Sequence, residues 1–177
     1  MMRRNFALFC VFATVAFFNV PVSANGESDE HRGSHGHGHS CLRFSDDPGV
    51  LSCAYYLCKE QEHPCGENGY WTNFGLKYCV RYGQVMRPQL SPAGQEWFDA
   101  TELCLQRSAE QIPATATCTA VTQQAFGSHF SCYLQAGYCG LSAADKAVIA
   151  NPPLDPADAV GLPQFIAALN NACANPH

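Results

Sequence analysis

The stretch SPAGQEWFDATELCLQRSAEQIPATATCTAVTQQAFGSHFSCYLQAGYCG, residues 91–140, carries four cysteines and the clearest helix signals of the chain. Ser91-Pro92 sets a capping oxygen before a proline, which loses nothing at the first helical position. After it Phe98, Thr101, Cys104 and Leu105 recur at helical spacing, with Gln95, Glu102 and Gln106 mostly elsewhere. Residues 115–125 and 128–137 read as two more helices separated by Gly127, and Gly137 and Gly140 suit the end of the second. Cys132 and Cys139 are seven residues apart, about 10.5 Å along a helix. Bridged Cα atoms lie within about 6.8 Å, so these two bond elsewhere. If their segment is one helix, each staples it to a different neighbour.

Outward from this stretch the signals stay helical. Asp47-Pro48 and Asp155-Pro156 repeat the cap-then-proline pattern, and Ser142 with Asp145 resembles a capping box. After Asp155, Val160, Phe165, Ile166, Leu169 and Cys173 recur at helical spacing, with Pro163 threatening a break or kink. Residues 71–86 are ambiguous, because Tyr, Trp and Val also favour strands. Cys53 and Cys58 are not partners, since on a helix they point about 140° apart. The expected class is all-α and disulfide-rich, with five to seven helices.

The chain has 177 residues, 47% hydrophobic and 14% charged, with a net charge of −5 and 11 cysteines. One domain fits that length, and the acidic balance argues against a nucleic-acid binder. Residues 1–24 read as a secretory signal: Arg3 and Arg4, the apolar run 6–18, then Val22-Ser23-Ala24. The run is shorter than the roughly 20 residues of a bilayer span, and no later stretch rivals it. Cleavage after Ala24 removes Cys10 and leaves an even ten, as a disulfide framework of five intramolecular bonds requires. Residues 25–40 form a His-, Gly- and Ser-rich arm too polar to offset its own ordering entropy. The folded unit is 41–173, with 174–177 trailing. The expected product is secreted and extracellular.

The cysteine order, Cys41-x11-Cys53-x4-Cys58-x6-Cys65-x13-Cys79-x24-Cys104-x13-Cys118-x13-Cys132-x6-Cys139-x33-Cys173, resembles that of the stanniocalcin family of secreted hormones. The likeness is strongest over Cys118–Cys139 and in the helix of Ser91–Leu105. The resemblance implies the pairs Cys41–Cys58, Cys53–Cys79, Cys65–Cys118, Cys104–Cys132 and Cys139–Cys173. It also implies a regulator of calcium and phosphate balance, or an inhibitor of pappalysin-type metalloproteases, with an extracellular receptor or protease as partner. Vertebrate members continue past the tenth cysteine to an eleventh that links two subunits. Here four residues follow Cys173, so no covalent homodimer is expected. No Asn-x-Ser/Thr occurs, so the usual glycan is not expected either.

Chemistry-bearing motifs are sparse. There is no CxxC, GxSxG, HExxH, P-loop or GxGxxG, and no cofactor motif. His31, His35, His37 and His39 are imidazoles suited to zinc, copper or nickel, yet they sit in a flexible arm without a supporting shell. His129 beside Ser128 and Ser131 lacks an orienting acid, and Glu60, Glu62 and Glu67 near His63 read as a solvated face. Tyr55, Tyr56, Tyr70, Trp71, Phe74, Tyr78 and Tyr82 are expected mainly in the core, with some available to a partner surface. The chain is therefore expected to act by recognition and not as an enzyme. The alternative is a carrier of a lipid or other apolar ligand, which an apolar cavity of roughly 300 Å³ or more favours.

Overall fold

In a computed structural model, residues 40–46 and 49–175 are described, and they contain helices and turns without a strand. The signal segment, the histidines of the arm and the Asp47-Pro48 cap lie outside the described residues. The first turns are 3-10 (Cys41–Phe44 and Gly49–Cys53), the second running directly into helix α1, Ala54–Glu62. Then come α2 (Lys77–Arg81), α3 (Pro92–Glu110), α4 (Cys118–Gly127), α5 (His129–Gln135), α6 (Ala143–Ile149) and α7 (Leu162–Ala174). Among the described residues no helix is long and apolar enough to cross a membrane.

The ambiguous residues 71–86 are helical. α2 is the middle of one continuous rod, with π-helical turns at Tyr70–Leu76 and Tyr82–Met86. In this rod Tyr70, Phe74, Tyr78 and Tyr82 recur every four residues, with neighbouring ring centroids 5.8, 4.7 and 5.5 Å apart. In a pure α-helix each such step overshoots a full turn by about 40°, so three steps rotate the ladder by about 120°. The wider π turns, with their i→i+5 bonds, offset that drift and keep the rings in one column. The adjacent column holds Gly75, where a Cβ would lie 2.5 Å from the Tyr56 ring. Glycine there lets the rod close onto α1.

Five cystines tie these elements together. Cys41–Cys58 joins the first turn to α1, Cys53–Cys79 joins the start of α1 to α2, and Cys65–Cys118 joins the following loop to α4. Cys104–Cys132 joins α3 to α5, and Cys139–Cys173 joins the turn after α5 to α7. Cys132 and Cys139 do go to different neighbours. They do not share one helix, because Gly137 at φ +100° ends the segment between them. Each closed loop stabilises by roughly 2–4 kcal/mol, mainly by restricting the unfolded chain.

Two helix starts behave differently from the sequence reading. Asp155-Pro156 does not open α7: residues 156–161 are turns, Val160 is 77% exposed, and the helix begins at Leu162. Pro163 therefore sits in its first turn, where it breaks nothing. The Asp155 carboxylate is instead taken by Lys77 and Arg81, at 2.5 and 2.7 Å. Ser91 and Ser142 cap α3 and α6 as expected. Asp145 does more than close its own cap. Its carboxylate accepts the Ser142 hydroxyl at 2.7 Å, the Ser91 hydroxyl at 2.8 Å and the Ser91 amide at 2.8 Å. One buried carboxylate thus locks two helix N-termini together, and these bonds hold its pKa below the usual range.

Because Asp145 titrates lower folded than unfolded, its contribution is present above the ordinary carboxylate pKa and is lost as pH falls through the depressed value. Asp145→Ala should destabilise by about 2–4 kcal/mol at neutral pH, with a smaller deficit at acid pH. Urea denaturation followed at both pH values checks it; a deficit independent of pH would contradict the charged role.

Candidate functional site

Two clusters of buried apolar side chains form the interior. One gathers Tyr55, Tyr56, Tyr70, Trp71 and the first cystines; the other gathers Met86, Leu90, Trp97, Phe98, Tyr138, Ile149 and Leu169. Between them lies a cavity of about 370 Å³ whose lining draws on both. Its wall includes the ladder Tyr70, Phe74, Tyr78 and Tyr82 on one side and Trp97, Phe98 and Thr101 of α3 on another. Phe126, His129, Tyr133 and Phe165 complete the ring of aromatics. Of the seven aromatics singled out in the sequence, all are buried or half-buried. Five of them, Tyr56, Tyr70, Phe74, Tyr78 and Tyr82, also line this space, Tyr56 and Tyr70 from within the first buried cluster.

Residues 154–162 strap one side, contributing Leu154, Asp158, Gly161 and Leu162 to the lining. The strap is fastened to the rod by charge. Lys77 bridges Asp155 and Asp158, Arg81 reaches Asp155 and the Pro153 carbonyl, and the Tyr78 hydroxyl donates to Asp158. These partners hold the Asp155 pKa down to about 2 and raise that of Lys77. The clamp therefore stays charged across the whole neutral range.

α3 carries the polar surprise. Glu102 and Gln106 lie off the Phe98–Leu105 stripe, yet they do not reach solvent. Both are buried. Gln106 donates to the Ser52 carbonyl at 3.2 Å, and Glu102 accepts the Ser52 hydroxyl at 3.3 Å. The other Glu102 oxygen lies 3.1 Å from the Cys79 sulfur, which is bonded to Cys53 and carries no hydrogen. Glu102 makes no ion pair among the described residues: nearby Arg87 is committed to Asp99 through two bonds of 2.8 Å. Burial, with some help from Asp99, therefore pushes its pKa up to about 8, partly offset by Ser52 and Arg87. At neutral pH it is a neutral acid. Beside it Thr101 is 5% exposed, and its hydroxyl has no hydrogen-bond partner among the described residues.

The remaining candidates resolve simply. His129 gives Nδ1 to the Ala125 carbonyl at 2.9 Å and stacks among Phe126 and Tyr133, and burial lowers its pKa. With no carboxylate orienting it, the ring is a wall of the cavity. Glu60 accepts the amides of Cys65 and Gly66, while Glu62 pairs with Lys59 at 3.1 Å. Glu67 is exposed, so these three acids do not converge on one cation. Among the described residues three groups of metal-ligating types do come together: His63 with Cys65 and Cys118, Glu62 with Cys41 and Cys58, and Glu102 with Cys53 and Cys79. In each the two sulfurs are bonded to each other, which removes the thiolates that a metal needs.

A carboxyl that titrates higher folded than unfolded favours folding most below its unfolded pKa, and that advantage fades as pH rises toward about 8. Glu102→Gln mimics the protonated form. It should match the parent near pH 5 and exceed it by a few kcal/mol near pH 9. Denaturation of both proteins across that range, with Tyr56, Asp99 and Arg87 unchanged around the site, checks the sign. Comparisons with protein-family models, with curated proteins and with solved structures find no match.

Proposed function

We propose that the protein is a secreted binding protein that holds a small apolar, ring-bearing ligand between its disulfide-stapled helices. The observation that carries this reading is the aromatic cavity of about 370 Å³, within the size of small-molecule sites and walled by apolar rings with few polar groups. Ten bonded cysteines support an oxidising, extracellular setting. The site offers no activated nucleophile or base, so the work is binding and not turnover.

A second reading has its own support. The five pairs are those that the stanniocalcin resemblance implies. On that reading the protein acts by surface recognition, as a hormone-like regulator or by inhibiting a pappalysin-type metalloprotease. The two are separable: a protease-inhibition assay scores the second, and the first does not depend on it.

Titration of the secreted protein with N-phenyl-1-naphthylamine, whose emission rises in apolar surroundings, should give saturable one-to-one binding. Leu154→Trp, which fills the cavity from the strap, should weaken it at least about tenfold while leaving the helical spectrum unchanged. Non-saturable binding, or equal affinity in the variant, would overturn the cavity reading.

A further inference from the structure

The lining chemistry narrows the ligand. It includes two carboxyl groups, Asp158 and Glu102, and contains no lysine or arginine. Asp158 is neutralised by Lys77 and the Tyr78 hydroxyl. Glu102 is 9% exposed and has no basic partner, and Thr101 one residue earlier holds an unpartnered hydroxyl. A carboxylate-bearing ligand such as a fatty acid would meet acid without a compensating cation. A wholly apolar ligand would make no use of Glu102, whose hydrogen bonding is then limited to the Ser52 hydroxyl. A cation fits both parts of the wall: its charge meets a buried carboxyl, and its remaining faces meet ring quadrupoles.

We infer that the cavity selects an amine-bearing ligand, an ammonium group on an aromatic or short alkyl body, with the charge set against Glu102 and the body among the surrounding rings. This rests on the cavity-binding reading and adds to it the charge and polarity of the occupant. Glu102 faces Ser52 from the turn before α1, Cys79 of α2, Tyr56 of α1, and Asp99 of α3, with Arg87 beyond. Of these only Arg87 is cationic, and Asp99 occupies it. The ammonium enters charged, so Glu102 must ionise to pair with it, and its proton passes to solvent. Binding therefore releases up to one proton, and no bond other than that O–H is broken.

The test compares 2-phenylethylamine, 2-phenylethanol and phenylacetate, which share a ring and nearly a length. Calorimetry near pH 6.5 in two buffers of different ionisation heat measures affinity and proton count together. The amine should bind at least about tenfold more tightly than the alcohol, with the acid weakest. Only the amine should release a proton. In Glu102→Gln the amine should lose its advantage over the alcohol and release no proton, while an unchanged far-ultraviolet helical spectrum shows that the variant is folded. Equal binding of amine and alcohol in the parent protein would overturn the amine inference and leave the cavity reading standing. So would an amine preference that survives Glu102→Gln. Failure of all three compounds and of the neutral naphthylamine probe would overturn both.

Discussion

The arrangement depends on two covalent spacers. Cys53–Cys79 fixes the aromatic rod against the start of α1, and Cys104–Cys132 fixes α3 against α5. The rings of the rod, of α3 and of α5 meet across the space that these fixed elements leave. Without the links, apolar rings would gain by collapsing onto one another and leaving water. Held open, these rings keep apolar surface exposed instead of burying it, which costs free energy in proportion to that area. Cross-links worth roughly 2–4 kcal/mol each make that cost tolerable.

Around this frame the polar groups sort by what they hold. Asp145 locks the starts of α3 and α6, and Lys77 and Arg81 tie down the strap. Arg87 and Asp99 brace the entry to α3. Each of these charges has an opposite charge or several donors beside it. Glu102 is the exception: it is buried against a sulfur and a single hydroxyl, in a wall shared with a second cleft of about 230 Å³. A group kept at such a cost in the lining of an apolar cavity is the natural place for ligand chemistry.

Much of the helical frame was legible locally. Ser91-Pro92 and Ser142 are read correctly because capping depends on neighbours three residues away. Asp155-Pro156 misleads because its carboxylate is claimed by Lys77 and Arg81, more than seventy residues earlier. The burial of Glu102 and Gln106 is not legible locally, because their partner Ser52 is about fifty residues away. The site was harder to see. A ring facing a cavity and a ring facing solid core share one sequence signature, and both read as core. Its signal in the sequence is the four-residue recurrence of Tyr70, Phe74, Tyr78 and Tyr82, which marks a rod wound more slowly than an α-helix.

The claim that fixed helices frame an aromatic cavity rests on which sulfurs are joined. Proteolysis of the oxidised protein without reduction, followed by mass spectrometry of the linked peptides, measures that directly. One peptide pair should join Cys53 to Cys79 and another Cys104 to Cys132. Finding either pair broken, with Cys79 or Cys132 bonded to any other cysteine, would contradict it, because the rod and α5 would then be held against different elements.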